Sequence, residues 1–348
     1  MKDKIVIVDM ATLDPITENE VADNRFGGWM YAAGNLLFEQ MASKPLESMN
    51  KTVLQAVDTF VFSSLSWDPE YKQRAFQGKI RPDSILKGMG VNAMVEVTKF
   101  LRKEVDMFSL NYMCATGLKA IELGRLLIEA QDQVVLVGCI DDPIVEIEIK
   151  AAMATRAISV DDTYYGPFDK KRSGFAAGRS ASYVAICSEK KAKELGVEPI
   201  AVIEDVRSAT KGIARTQPSD ADFLCQLVDS VVKDWDSIGH WNAHATATPV
   251  GDVIEYDMFK RSVGNRDIPI SSLKGRIGHT MSNSGLCEMI HGIMSFQQKK
   301  VFKTHNLVDP FVDDPRIIME DVSTTKDTFL KCSFGFSGKN SVVLVKCL

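Results

Sequence analysis

A chain of 348 residues is long enough for more than one core, because single cores stop growing at about 250 to 300 residues, so two domains or two fused halves are expected. Hydrophobic residues make up 45% and charged residues 25%, with glycine and proline scattered singly, which excludes disordered and low-complexity classes. A formal net charge of −5 argues against a nucleic-acid binder, since those carry a basic domain or stripe.

In chain order, the N-terminus MKDKIVIVDM sets lysines and an aspartate around five apolar residues. That run is too short for a signal core or a membrane span, so it reads as a first strand of a cytoplasmic protein. TFVFSSL is a second strand, EVTKFLRKEV a helix and DMFSLNYM a further strand. The helix GLKAIELGRLLIEAQ follows, with Leu118, Ile121, Leu123, Leu126, Leu127 and Ile128 on most of its sides, the mark of a buried helix. QVVLVGC and SYVAICS are β-branched runs of the kind buried on both faces. ELGVEP, 194 to 199, is the best internal seam and divides the chain into 1–199 and 200–348. Beyond it come the strand IAVIEDV, the helices LCQLVDSVVKDW, VIEYDMFKRSV and GLCEMIHGIMSFQQKK, and a last strand SVVLVKC. Strands mixed with helices throughout give an α/β class with largely parallel central sheets.

Seven cysteines, an odd number without CxxC pairs, fit a reducing compartment better than a disulfide scaffold. Cys114, in NYMCATGLKA, stands out because it precedes the buried helix. Unpaired backbone N–H groups and the positive end of the helix dipole would lower its pKa and favour the thiolate. The alternative is a thiol that is simply buried. Of five histidines, His244 in WNAHATATPVGDVIE and His279 in SSLKGRIGHTMSNSG both sit at strand-to-helix junctions. Lys274 lies five residues before His279 and Glu288 nine after, whereas His240, His291 and His305 lack such a setting. Neither His244 nor His279 has a second His or Cys at metal spacing, so no metal is expected there. KCSFGFSGKN offers backbone N–H donors with little side-chain bulk, or a plain hairpin turn.

Taken in order, MCATG, YYGPFDKKRSGFAAGRSASYVAI, NAHATATPVGDVIE, LKGRIGH and CSFGFSGKN resemble the five motifs of the β-ketoacyl-acyl carrier protein synthases. These are the Cys-His-His condensing enzymes of the thiolase superfamily, and the likeness runs from about residue 80 onward. It implies a five-layered αβαβα sandwich of two similar halves, 1–199 with the nucleophile and 200–348 with both histidines and the gating loop. It implies that Cys114 accepts an acyl group from a thioester, and that His244 and His279 stabilise the enolate left when a malonyl-type extender loses CO2. Lys274 and Glu288 match the supporting ion pair, Thr246 and Thr248 the pantetheine contacts, and the N–H groups of Cys114 and Phe336 the oxyanion hole, with Phe336 also the gate. Met113 and Phe334 fall in the acyl pocket.

The same likeness implies acyltransferase chemistry with no cofactor beyond substrates carried on phosphopantetheine of acyl carrier protein or CoA. It also implies an acyl carrier protein as partner, and a homodimer or a heterodimer with another ketosynthase-like chain, without nucleic acid or membrane. A thiolase would need a second cysteine loop where SFGFSG stands, and an initiating synthase an asparagine at His279. The chain departs from the pattern as well. Ala245 and Ala247 stand for glycines in HATAT, Ser337 for a glycine in the gate, Lys339 for a threonine, and Ser282 and Asn283 for small apolar residues. The segment before Cys114 is shorter than in the family. Such changes point to a specialised pathway, polyketide or fatty acid. They leave open a malonyl decarboxylase, an acyltransferase or a non-catalytic partner subunit.

Overall fold

The computed structural model describes the chain except for residues 1–2, 18, 20–21, 26–27, 32–37, 66–73, 75–76, 80–91, 144–145 and 212–219. Ten strands among the described residues form one sheet: β1 (Ile5–Leu13), β2 (Thr59–Ser63), β3 (Asp106–Ser109), β4 (Val135–Asp141), β5 (Ser180–Ser188), β6 (Ala201–Thr210), β7 (Ile238–Asn242), β8 (Ile270–Ser271), β9 (Thr328–Gly335) and β10 (Lys339–Cys347). In space they run β8-β7-β9-β10-β6-β1-β5-β4-β2-β3. Numbered by rank within each half, both sides of the β6–β1 seam read 1-5-4-2-3 from the seam outward.

Pairing repeats too. β1–β5 and β5–β4 are antiparallel while β4–β2 and β2–β3 are parallel, and β6–β10, β10–β9, β9–β7 and β7–β8 follow the same sequence. The expected largely parallel sheets are therefore mixed, with two antiparallel pairs beside the seam in each half.

Side-chain alternation explains the layers. Along β4, Val135, Val137 and Cys139 enter a core shared by both halves, while Leu136 and Ile140 enter an outer core with Val53, Val97 and Leu101. In the C-terminal half Val343 and Val345 face the shared core, and Val342 and Leu344 an outer one with Leu224, Val228, Met258 and Phe259. Two helices fill the shared core: α3 (Thr116–Gln131), with Leu118 and Ile121, and α7 (Ser284–Gln297), with Leu286, Met289, Ile290 and Ile293. Outside lie α1 (Lys51–Ala56) and α2 (Asn92–Leu101) on one side, and α4 (Ala221–Val231) and α5 (Gly251–Val263) on the other. The stack is helix, sheet, helix, sheet, helix, as the family likeness implies.

Two boundaries differ from expectation. The helix read over 96–105 ends at Leu101, where Arg102 turns to φ +52° and breaks the repeat. Helix α3 is not apolar-covered all round: Leu126 is 56% exposed, and only one face of α3 is packed into the shared core.

The short helix α6 (Lys274–Ile277) precedes α7 and closes on Gly278 at φ +71°. The next residue, His279, is then clamped by backbone bonds, its N–H donating to Ala176 O at 2.7 Å and its carbonyl accepting from Gly178 N at 3.0 Å.

Candidate active site

Cys114 sits one turn before α3, on a backbone kink in which Met113 takes φ +53°. Local bonds fix that kink: Thr116 Oγ1 accepts from Tyr112 N at 2.8 Å and donates to Met113 O at 2.5 Å, and Ser333 Oγ donates to Cys114 O at 2.8 Å. Gly335 makes the approach possible, since a Cβ there would lie 2.9 Å from Met113 Cβ and 3.1 Å from Cys114 N.

The thiol meets both histidines. His279 Nε2 is 3.2 Å from Cys114 Sγ, and the rings of His244 and His279 are 5.5 Å apart in a T-shaped arrangement. Phe175 stacks edge-on to His279 at 5.1 Å and Phe334 to His244 at 5.8 Å. Backbone N–H groups of Cys114 and Phe336 face the sulfur. Cys114, Met113, both histidines, Phe334, Phe336, Thr246 and Thr248 line one cavity of about 390 Å3. Thr246 and Thr248 share a hydrogen bond of 3.1 Å at its wall.

The electrostatics correct one expectation. Burial pushes the Cys114 thiol up to about 12, and Lys274 together with the two N–H groups recovers only part of that rise. The helix end therefore does not hold a resting thiolate, because loss of hydration outweighs its donors. Burial also holds both imidazoles well below their ordinary pKa, helped by the charge of Lys274, so His244 and His279 are neutral. His279 Nδ1 lies 2.7 Å from Ser284 Oγ. A hydroxyl either donates or accepts. With Ser284 donating, Nε2 carries a proton and can give a hydrogen bond; with Ser284 accepting, Nε2 can take one.

Carboxylates hold the loop that carries His244. Glu255 accepts from the N–H groups of His244 at 2.8 Å and Ala245 at 2.6 Å, and burial raises it to about 7. Asp252 accepts from Thr246 N at 3.0 Å and Phe168 N at 2.8 Å, and burial raises it to about 6. Lys274 Nζ lies 2.6 Å from Glu288 Oε1, in contact but off the line of a good hydrogen bond. Met113, Cys114, Thr246, Thr248, His244, His279, Phe334 and Phe336 thus line this cavity, with Lys274 and Glu288 in its support. Residues that the motif reading did not single out also belong there, among them Glu255, Asp252, Ser284, and Lys331, which bonds the other oxygen of Glu288. Lys331 is fully buried on a strand where lysine patterns as solvent-facing, and only the tertiary contact reveals it.

Ligand-type side chains also meet elsewhere. Asp14, Cys287 and His291 place ligand atoms within 4.8 Å of one another. His291 Nε2 at 2.7 Å, Thr12 Oγ1 at 2.9 Å and Cys287 Sγ at 3.5 Å all converge on Asp14 Oδ2. These contacts tie the three side chains and Thr12 together around one carboxylate oxygen. All seven cysteines are free, and no helix among the described residues is long and apolar enough to cross a membrane.

Two halves of identical strand order, with a thiol just ahead of one central helix and imidazoles from the other half, define a thiolase-like protein. The chain belongs to the β-ketoacyl synthase family, whose N-terminal domain matches residues 96–192 and whose C-terminal domain matches residues 200–308. It is 28% identical over 249 residues to the tetracenomycin polyketide synthase ketoacyl synthase alpha subunit of Streptomyces glaucescens, covering 67% of this chain and 58% of that one. It is 28% identical over 246 residues to 3-oxoacyl-[acyl-carrier-protein] synthase 2 of Staphylococcus aureus, covering 67% and 59%. The chain thus matches less than two thirds of the length of these relatives.

Solved structures share the whole fold. A chain of the AntDE:AntF complex, a type II acyl-carrier protein with its ketosynthase bound to the hexaketide, superposes with TM-score 0.87 at 19% identity over 100% of both chains. A β-ketoacyl synthase from Burkholderia phymatum does so at 0.84 and 20% identity, covering 99% and 100%.

Proposed function

We propose that the chain is a β-ketoacyl synthase-type condensing enzyme, an acyltransferase that joins an acyl group on Cys114 to a malonyl-type extender with loss of CO2. The observation that carries this is the contact of Cys114 Sγ with His279 Nε2 at 3.2 Å, beside a second neutral imidazole. In acylation the thiol proton leaves through His279 Nε2 as sulfur attacks the thioester carbonyl. That proton goes to the departing pantetheine thiolate, and the new carbonyl oxygen rests on the N–H groups of Cys114 and Phe336. In decarboxylation the extender's C–C bond breaks, and its electron pair forms an enolate whose oxygen accepts from His244 and His279. Preorganised donors of that kind contribute about 3 to 4 kcal/mol each. The enolate carbon then attacks the acyl carbonyl, and the Cys114 sulfur leaves as a thiolate that takes a proton from solvent water. No step needs a cofactor.

Thr246 and Thr248 stand at the cavity wall where a pantetheine arm would pass, with Phe336 as the gate. Met113 and Phe334 bound the acyl end. Residues 1–199 then provide the nucleophile and 200–348 the histidines and gate. Substrates would arrive on acyl carrier protein, and the chain would work as a dimer with itself or with a related chain, in the polyketide or fatty acid setting of its relatives. Unpaired thiols support a cytoplasmic site. Retention of the thiol and both histidines favours catalysis over a purely structural subunit.

Incubation with acyl carrier thioesters, followed by intact-mass spectrometry, tests the reading. An acyl adduct is expected on the wild type and absent from Cys114→Ala. An adduct persisting on that variant would refute it. Product analysis then separates condensation, which lengthens the carbon chain, from decarboxylation or transfer to a heteroatom.

A further inference from the structure

Two buried lysines converge on one buried carboxylate. Lys274, from α6, lies 2.6 Å from Glu288 Oε1, and Lys331, from β9, bonds Oε2 of the same group on α7. None of these three side chains is more than 1% exposed. One lysine would already neutralise Glu288, and a second buried ammonium loses its hydration uncompensated unless something else holds it. What holds it is the carbonyl of Ala243, which accepts from Lys331 Nζ at 2.9 Å. Ala243 is the residue before His244.

We propose that Lys331 is a positioning residue of this site: it ties down the strand end that carries His244 and supplies the second positive charge of a Lys–Glu–Lys ladder beneath both imidazoles. This inference rests on the condensing reading for its catalytic meaning, but not for its geometry.

The ladder has a chemical consequence. An imidazole that took up a proton at rest could no longer accept the thiol proton, and it would quench the enolate. The charged or titratable groups that bear on the two rings are each other, Cys114 ahead of α3, Glu255 on α5, Lys274 on α6, Glu288 on α7, and Lys331 on β9. Positive charge on two lysines opposes protonation of His244 and His279, and the effect of Lys331 reaches both rings. Glu288 and ionised Glu255 work against it. Removing Lys331 leaves the ladder one charge more negative, so the rings should then gain protons at higher pH than in the wild type.

The test uses the full chain labelled with 15N-histidine, with ring titration followed by NMR from pH 4.5 to 9 and assignments made with His244→Ala and His279→Ala. Lys331→Gln keeps a donor for Ala243 and removes the charge, whereas Lys331→Arg keeps the charge. Both wild-type rings are expected to stay neutral throughout. In Lys331→Gln at least one titrates into the range with its midpoint raised by a unit or more, and in Lys331→Arg neither does.

Malonyl-thioester decarboxylation, measured in parallel, should lose at least tenfold in kcat in Lys331→Gln, with KM within about threefold and its acid limb moved to higher pH. Ring titrations unchanged in Lys331→Gln would overturn the proposal. Should that variant not fold, Lys331→Arg decides alone, since rings that titrate near the ordinary histidine value despite the retained charge would also overturn it. A wild type that decarboxylates nothing would count against the condensing reading and leave the ring titrations as the measure of Lys331.

Discussion

The two halves place one scaffold at the service of unlike chemistry. Helices α3 and α7 each follow the third strand of their half, and they meet at Gly117, where a Cβ would lie 2.9 Å from Leu286 N. The approach to α3 delivers a single thiol, fixed by a backbone kink and by hydroxyl-to-backbone bonds. The C-terminal half delivers two imidazoles, two lysines and two glutamates, drawn from α5, α6, α7, β9 and the loop after β7. Strand order supplies the positions twice over, while the buried charges that surround the imidazoles, Glu255, Lys274, Glu288 and Lys331, come from the C-terminal half.

That asymmetry is open to attack at its strongest point. Glu288→Ala would leave Lys274 and Lys331 facing each other in a dry interior, and breaking a buried ion pair from one side costs about 3 to 5 kcal/mol. Urea unfolding should show that loss. A change below about 1 kcal/mol would mean that the lysines are not held by this carboxylate, and the contrast between the halves would fall.

Next in size is the division of labour. His279→Ala should retain acyl loading of Cys114, slowed, yet lose about 100- to 1000-fold in CO2 release from a malonyl thioester, since one preorganised donor disappears. Ser284→Ala should lose less, because Nδ1 forfeits a hydrogen bond but the His279 backbone stays clamped between Ala176 and Gly178 and Phe175 still packs against the ring. Equal losses in both variants would place the control of the ring in the hydroxyl rather than in the backbone.

Reactivity of the thiol separates backbone from burial. The raised pKa of Cys114 means that the uncharged form persists through neutral pH, so its thiolate fraction keeps growing up to about pH 12. Iodoacetamide alkylation of Cys114, read by peptide mass mapping, should still be rising at pH 10, where an ordinary thiol with pKa about 8.5 has levelled off. A plateau below pH 8 would show that the helix end dominates after all.

The sequence carried the site better than its energetics. Runs such as QVVLVGC need only local composition to be read as strands, and the order of MCATG, HATATP, KGRIGH and FGFSGKN picks out Cys114, His244, His279 and Phe336 before any coordinates. Exposure is another matter. Leu126 was legible only as one of six apolar residues on a helix, and which face met the core depended on where α7 lies. The thiol pKa is hidden for the same reason: the dipole is local and readable, whereas desolvation depends on every element packed around Cys114. Lys331 is not legible in the sequence because its partner Glu288 is 43 residues away, and nothing within FLKCSFGF announces a buried ammonium.

The smallest effect concerns two departures from the glycine pattern. Ala247 and Ser337 occupy φ +63° and +62°, the left-handed region that glycine enters freely, and the family motifs place glycine at both. The chain has kept the backbone path and accepted a side chain on it. A non-glycine residue there costs about 1 to 2 kcal/mol, and the extra freedom of glycine in the unfolded chain returns about 0.5 to 1 of that. Ala247→Gly and Ser337→Gly should therefore each raise stability by up to about 1 kcal/mol in urea unfolding. Their activities should diverge, because Ala247 stiffens a loop that Glu255 and Asp252 already hold, whereas Ser337 lies in the turn that carries the Phe336 N–H. Faster gating in Ser337→Gly, seen as quicker acyl loading with Ala247→Gly unchanged, would show that the serine slows entry to the cavity. Equal rates in the two variants would reduce both substitutions to backbone strain.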